Sequence, residues 1–212
     1  MNGKLSPGVA GQNLVSDRLI LRQLRYSDAA EYTALRYDNA KWLKPWDPTN
    51  PLGPAGVWNF RQLVRSHKQA LKAHTGYSWV MTLPQANATK PPIIGQISVS
   101  SVQWGAALNA SIGYWISQSH AGFGFMPEAC ALVIDHCFST LQLHRLEINI
   151  RPENQPSLTV VKKLGFRDEG VRKAYLHING QWADHRTFAL TKDEMSTTML
   201  EHIYEQRGKM DT

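Results

Sequence analysis

Residues 112–129 read Ile-Gly-Tyr-Trp-Ile-Ser-Gln-Ser-His-Ala-Gly-Phe-Gly-Phe-Met-Pro-Glu-Ala. An apolar strand pattern runs into two glycines one residue apart, Gly122 and Gly124. A helix follows from about Pro127, a residue suited to a first helical turn. Glycines at such a point let the backbone approach a ligand closely and leave N–H groups free beside a helix N-terminus. That is chemistry for an anion, a phosphate or pyrophosphate. Two common phosphate sites do not fit: the chain has no Gly-Lys-Ser/Thr, and the third glycine of a dinucleotide loop would fall at Pro127. Taken alone, Gly122-x-Gly124 is equally a structural turn. A second constellation follows in Arg151-Pro-Glu-Asn154-Gln-Pro-Ser157, where Asn154 and Ser157 open a short helix closed by Gly165. Both residues either address a ligand or satisfy the helix's own first N–H groups.

The elements that position these residues are legible from periodicity. Residues 14–24 alternate as a first strand, and Ser27 is the expected N-cap of a helix to about Asn39. The Trp42-Leu-Lys-Pro-Trp46-Asp-Pro stretch is broken by proline and is expected to be a loop. Residues 57–74 carry apolar positions at helical spacing. Strands are expected over 77–83, 93–102 and 110–116, with a turn at 86–92. A helix over 126–141, a strand over 145–150 and a helix over 157–164 come next. Strands 166–178 and 182–190 flank Asn179-Gly180, a strong hairpin signal. Thr191 with Glu194 forms a capping box for a last helix running toward Gln206. The sum is an α+β fold: a mixed, mostly antiparallel central sheet with helices on both faces.

The 212 residues, 42% hydrophobic and 19% charged, suit one domain spanning 1–212, with 1–12 as a flexible N-terminus and 192–212 as C-terminal helix and tail. No apolar run nears the ~20 residues needed to cross a bilayer, so a cytoplasmic protein is expected. Cys130 and Cys137 lie about 10 Å apart along one helix, too far for a disulfide, and no spacing marks a metal site. The net charge of +6 is spread along the chain, which suggests an anionic ligand more than a nucleic-acid arm.

The order of glycine loop and helix, then Arg151-Pro-Glu-Asn154-x-x-Ser157, then Lys162-Lys-Leu-Gly-Phe166, resembles the GNAT superfamily of N-acetyltransferases. Gly113-Tyr-Trp-Ile, Met126-x-Glu128-Ala, Asn179-Gly-x-Trp182-x-Asp184-His185 and the Pro45-Trp46-x-Pro48 loop are similar to its RimJ/RimL group, ribosomal-protein N-terminal acetyltransferases. The resemblance implies acetyl-CoA as co-substrate, no metal, and a protein N-terminus beginning with Ala or Ser as acceptor. A small-molecule amine, or a catalytically weak acyl-CoA-binding module, remain the alternatives. Neither membrane nor strong nucleic-acid contact is expected, and the assembly is a monomer or homodimer.

By the same resemblance the central strands splay so that pantetheine lies between 111–116 and 145–150, with the pyrophosphate on Gly122, Phe123, Gly124, Phe125 and Met126. Asn154 and Ser157 complete the cofactor side. Tyr114 and Trp115 alternate on opposite strand faces, so at most one meets the pantetheine; Trp115 with Ile116 is assigned to it. Trp42, Trp46 and Tyr114 are assigned to the acceptor. Ser157 is the candidate proton donor to the departing thiolate. The chain departs from related patterns at Ala121, where Gln or Arg is usual, and at Asn149, Val161 and Leu176, where acid–base side chains occur in relatives. Glu147 is the first candidate base, because it shares a strand face with Asn149. Tyr175, His177 and His185 follow.

Overall fold

The computed structural model describes residues 11–53, 59–84 and 91–209. Eight strands form one mixed sheet in the order β1-β2-β3-β4-β5-β6-β8-β7. They are β1 Leu14–Val15, β2 Ile20–Arg22, β3 Tyr77–Thr82, β4 Ile93–Gln103, β5 Asn109–Ile116, β6 Arg145–Ile150, β7 Arg167–Ile178 and β8 Gln181–Thr191. Every neighbouring pair is antiparallel except β5 with β6.

Helices cover both faces, and the alternation of β3 shows why. Trp79 and Met81 point into one apolar layer and Val80 into the other. The larger layer receives α4 (Phe125–Ser139), α5 (Gln155–Lys163) and α6 (Met199–Gly208), through Ile134, Val161 and Ile203 among others. The smaller receives α1 (Ala29–Asp38) and α3 (Phe60–Ala73) through Tyr32, Phe60 and Val64. The α4 helix is apolar nearly all round because sheet and α6 enclose it, as expected of a central helix. No helix among the described residues is long and apolar enough to cross a membrane.

Several boundaries differ from the sequence expectation, each for a local reason. The strand expected over 14–24 is two strands, since Ser16 closes a turn on Leu19, its N–H reaching Leu19 O at 3.0 Å and its Oγ accepting the Leu19 N–H at 3.1 Å. Asp28, not Ser27, organises the next helix start, accepting the Arg25 N–H and pairing with the buried Arg22 at 2.8 Å. Trp42 lies on a helical turn, α2 Ala40–Leu43, rather than in a loop. Asn59 caps α3 through Gln62 N–H, so the helix begins at Phe60, three residues after the expected start; Val57 lies outside the described residues. The Thr191/Glu194 box caps a short 3₁₀ turn, and the last helix has its own box at Thr198 and Glu201. Of the N-terminal segment expected to be flexible, 1–10 lie outside the described residues, and Gln12 O accepts the Trp79 indole N–H at 2.9 Å. Most of the expected 86–92 turn also lies outside them.

Because Ile134 is fully buried between α4 and the sheet, Ile134→Ala should lower unfolding free energy by about 2–5 kcal/mol. Urea denaturation measures it; a loss under about 1 kcal/mol would mean the larger layer is not packed around this residue.

Candidate active site

The parallel strands β5 and β6 pair only at Asn109, Ala110 and Ser111, opposite Arg145, Leu146 and Glu147, and then part. Along a strand, N–H and C=O groups turn alternately to either side. The Ser117 N–H bonds Ile94 O at 2.8 Å toward β4, so Ile112, Tyr114 and Ile116 turn theirs toward the gap. One of these groups is taken: the Trp42 indole N–H donates to Ile116 O at 3.1 Å. The Ile112 N–H closes the last rung on Glu147 O, and the groups beyond it, from the Ile112 carbonyl to the Ile116 N–H, form a partnerless strand edge inside the fold, a template for an extended amide-bearing guest. A cleft of about 610 Å³ runs through the parting from the glycine loop to the α2 turn.

At the loop end, Gly122 and Gly124 both have positive φ, 88° and 76°, a region closed to most side-chain-bearing residues. Gly124 serves as N-cap of α4 without a side-chain cap. Among the described residues the N–H groups of Gly122, Phe123, Gly124, Phe125 and Met126 have no protein partner. Gly122, Gly124, Phe125 and Met126 line the cleft, whereas Phe123 stands outward, 63% exposed. The loop carbonyls are held from behind. Arg18 Nη1 donates to Phe123 O at 3.2 Å and Arg207 Nη2 to Gly124 O at 3.0 Å. Both guanidiniums converge on the buried Glu128, at 2.6 and 2.8 Å, where Ser16 and Tyr204 hydroxyls also donate. Burial by itself would raise the Glu128 pKa; the donors from Ser16, Arg18 and Arg207 outweigh it and hold the carboxyl below its ordinary value.

In mid-cleft, Asn154 is the N-cap of α5, its Oδ1 accepting the Ser157 N–H at 3.2 Å, so its amide NH₂ stays available to the cleft. Capping and ligand contact are therefore compatible in one side chain. Ser157 lines the cleft. Its hydroxyl faces the Tyr114 phenol, whose oxygen is buried and completes no hydrogen bond; burial pushes that phenol above its ordinary range, offset in part by Ser157. Tyr114 thus packs on the side of α4 and α5, with Ser157, and not with the acceptor residues. Trp115 takes the opposite face against Tyr32 and the Arg36 guanidinium, 5.0 Å from its ring centre. The two side chains thus stand on opposite faces, Tyr114 beside Ser157 and Trp115 beside Tyr32, while Ile116 and the Trp115 backbone keep their position along the cleft.

Two candidate catalytic residues lie away from it. Glu147 shares a face with Asn149 as alternation requires, but stands opposite Ser111, where the strands still pair, and its carboxylate is held by Arg145 and Arg172, both at 3.0 Å. Tyr175 accepts from Arg172 and stacks edge-on to His185, outside the cleft lining. Val161 is core, and Leu176 lines the cleft as an apolar wall. His185 does line it. Its Nδ1 meets Ala183 O at 3.0 Å and must donate there, which leaves Nε2 as a lone-pair acceptor without a protein partner among the described residues. Burial lowers its pKa, so the ring is neutral at pH 7.

At the far end Trp42 and Trp46 both border the opening, with Asp47, which sequence pattern did not single out. Asp47 is the one carboxylate among the described lining residues, and Arg36 holds one of its oxygens at 2.6 Å.

The acetyltransferase (GNAT) domain profile matches residues 18–167. The ribosomal protein uS5-alanine N-acetyltransferase of Escherichia coli is 33% identical over 183 residues, 84% of this chain and 90% of that protein. The ribosomal-protein-serine acetyltransferase of the same organism is 33% identical over 172 residues, 78% and 94% of the two chains. Among solved structures, Mycobacterium smegmatis RimJ in complex with CoA-disulfide superposes with a TM-score of 0.84 at 29% identity, covering 93% of this chain and 95% of its own.

The Glu128 cluster has a testable signature. A carboxyl whose pKa is lowered by folding contributes stability that is present above its unfolded value, about 4.3, and is lost as pH falls through the folded one. Glu128→Gln, which leaves two partly exposed guanidiniums without their counter-charge, should cost about 1–3 kcal/mol at pH 7. In denaturant titrations the gap to the parent protein should close below pH 4; a gap independent of pH would refute the assignment.

Proposed function

This chain belongs to the acetyltransferase (GNAT) family, and on that premise we propose that it transfers the acetyl group of acetyl-CoA to the N-terminal α-amino group of a protein, an Ala- or Ser-initiated ribosomal protein, in the cytoplasm. The observation that carries this reading is the parted β5/β6 pair, with partnerless backbone amides along it, a glycine cradle at one end and an aromatic mouth at the other. The fit to the cofactor rests on those amides and on the loop's free N–H groups, suited to pantetheine and pyrophosphate respectively. Ala121 does not weaken the argument, because the donors are backbone groups.

When bound, acetyl-CoA supplies a thioester carbonyl activated toward amines. The residues of this chain do the rest. His185 Nε2 takes a proton from the acceptor ammonium, directly or through one water, freeing the nitrogen lone pair to attack the carbonyl carbon. Partnerless N–H groups on the β5 edge accept the charge that develops on the carbonyl oxygen. As the new C–N bond forms and the C–S bond breaks, Ser157 gives its proton to the departing thiolate and takes back, through water, the second proton that the attacking nitrogen sheds. The products are an amide and a thiol, and the proton on His185 returns to solvent.

Acceptor chemistry follows from the base and the mouth. A histidine titrating below 6.5 suits an α-ammonium of pKa ~7.7–8.0 and is mismatched to a lysine-like amine near 10.4. A polyamine or amino sugar calls for several carboxylates, and the described lining holds Asp47 alone, already shared with Arg36. The apolar walls of Trp42, Trp46, Pro48 and Ile178 favour a small first side chain.

Thiol release from acetyl-CoA with Ala- and Ser-initiated peptides tests the reading, and turnover no faster than buffer would leave only an acyl-CoA-binding module. His185→Gln should lower kcat/KM by about 10²-fold and abolish the limb that rises with pH below 6.5. Ser157→Ala should lower kcat while the acetyl-CoA Kd stays within a few-fold. A Cβ at Gly124 would press on the Arg207 guanidinium at 3.2 Å and touch that of Arg18 at 3.6 Å, rather than meet the ligand side, and its φ of 76° suits few side chains. Gly124→Val should therefore turn the loop and raise the acetyl-CoA Kd at least about tenfold by calorimetry, since each lost charge-assisted bond is worth ~1.5–3 kcal/mol. Unchanged affinity in a folded variant would refute the cradle.

A further inference from the structure

Behind the glycine loop lies a second cavity of about 180 Å³, walled by Gly122, Phe123, Gly124, Pro127, Lys163, Ile203, Gln206 and Arg207. It shares Gly122, Gly124, Pro127 and Lys163 with the main cleft, so the two are continuous around the loop. Its outer wall is α6, which lies beyond the residues matched by the family profile. Gln206 fastens that wall, its amide donating to Lys163 O at the end of α5 at 3.1 Å.

The cavity is cationic. Arg207 spends Nη2 on Gly124 O and Glu128, which fixes the guanidinium plane and leaves Nη1 without a protein partner among the described residues. The Lys163 ammonium likewise has none there. Two positive groups thus border a small cavity beside the place where a pyrophosphate would sit, and no carboxylate lines it. Glu128 is turned away beneath the loop, fully buried and committed to its own donors.

We propose that this cavity is a phosphomonoester subsite that takes the 3′-phosphate of acetyl-CoA, with Arg207 and Lys163 as its cations and Glu128 as the residue that positions Arg207. The inference rests on the acetyl-CoA reading above. In CoA the 3′-phosphate is borne on the ribose that follows the pyrophosphate, one sugar ring away, which matches a cavity sharing the loop's glycines. A dianionic monoester gains two charge-assisted contacts there, and a guanidinium already held in one plane loses little freedom on binding it.

Calorimetric titration of the full-length protein with CoA and with dephospho-CoA decides the matter. The parent protein should bind CoA at least about tenfold more tightly. Arg207→Met and Lys163→Met should each lower that preference severalfold by weakening CoA binding more than dephospho-CoA binding. Arg207 also steadies the loop, and a purely structural effect would weaken both ligands alike, so the ratio is the deciding quantity. Lys163 is exposed, and its substitution leaves the packing intact. Equal affinity for the two ligands in the parent protein, or a preference untouched in both variants, would overturn the subsite while sparing the acetyl-CoA reading. Binding of neither ligand would overturn both.

Discussion

The fold turns on a pairing that stops. Two parallel strands begin a ladder, complete three residue pairs, and separate with their remaining backbone groups still aimed at one another. Unpaired amides inside a protein are costly unless water or a ligand satisfies them, so the parting is stable only where a polar guest or solvent enters. Everything else serves to keep it open. The α4 and α5 helices pack the larger layer beneath it, and their N-termini face it from opposite strands.

The chain's two ends reinforce one point of this arrangement. Arg18, between β1 and β2, and Arg207, near the end of α6, meet at a carboxylate on the first turn of α4. Each also turns a loop carbonyl backward. A peptide unit whose C=O points back presents an N–H forward on the next residue, so ion pairs behind the loop orient the donors in front of it.

Much of this was legible in the sequence because it is local. The glycine loop, the Asn154 helix start, the Asn179-Gly180 turn with φ of 47° and 86°, and strand β6 to its exact ends are set by neighbouring residues. What escaped was set by partners far along the chain. Alternation placed Glu147 on the right face but could not say at which residue the β5/β6 ladder ends, nor that Arg172 lies across from it. The neutral state of His185 depends on burial and its tautomer on the Ala183 carbonyl, and the place of Asp47 at the mouth on α2 being helical. Ser27 and Thr191 miss the starts of the longer helices for a simpler reason: equally good capping residue types, Asp28 and Thr198, follow one and seven positions later and stand at those starts.

The last rung of the parting pair has a consequence that lies in length. Ser111 and Glu147 close the open strand edge at one end, as a stop on a rail, while the glycine loop follows the other, where the Trp42 indole occupies the Ile116 carbonyl. An arm anchored at the loop and laid along the edge can advance only so far before it meets the stop. The interval works as a gauge, registering an acyl carrier by the reach of its arm, and a group carried on a shorter or longer tether would halt out of step with the catalytic side chains.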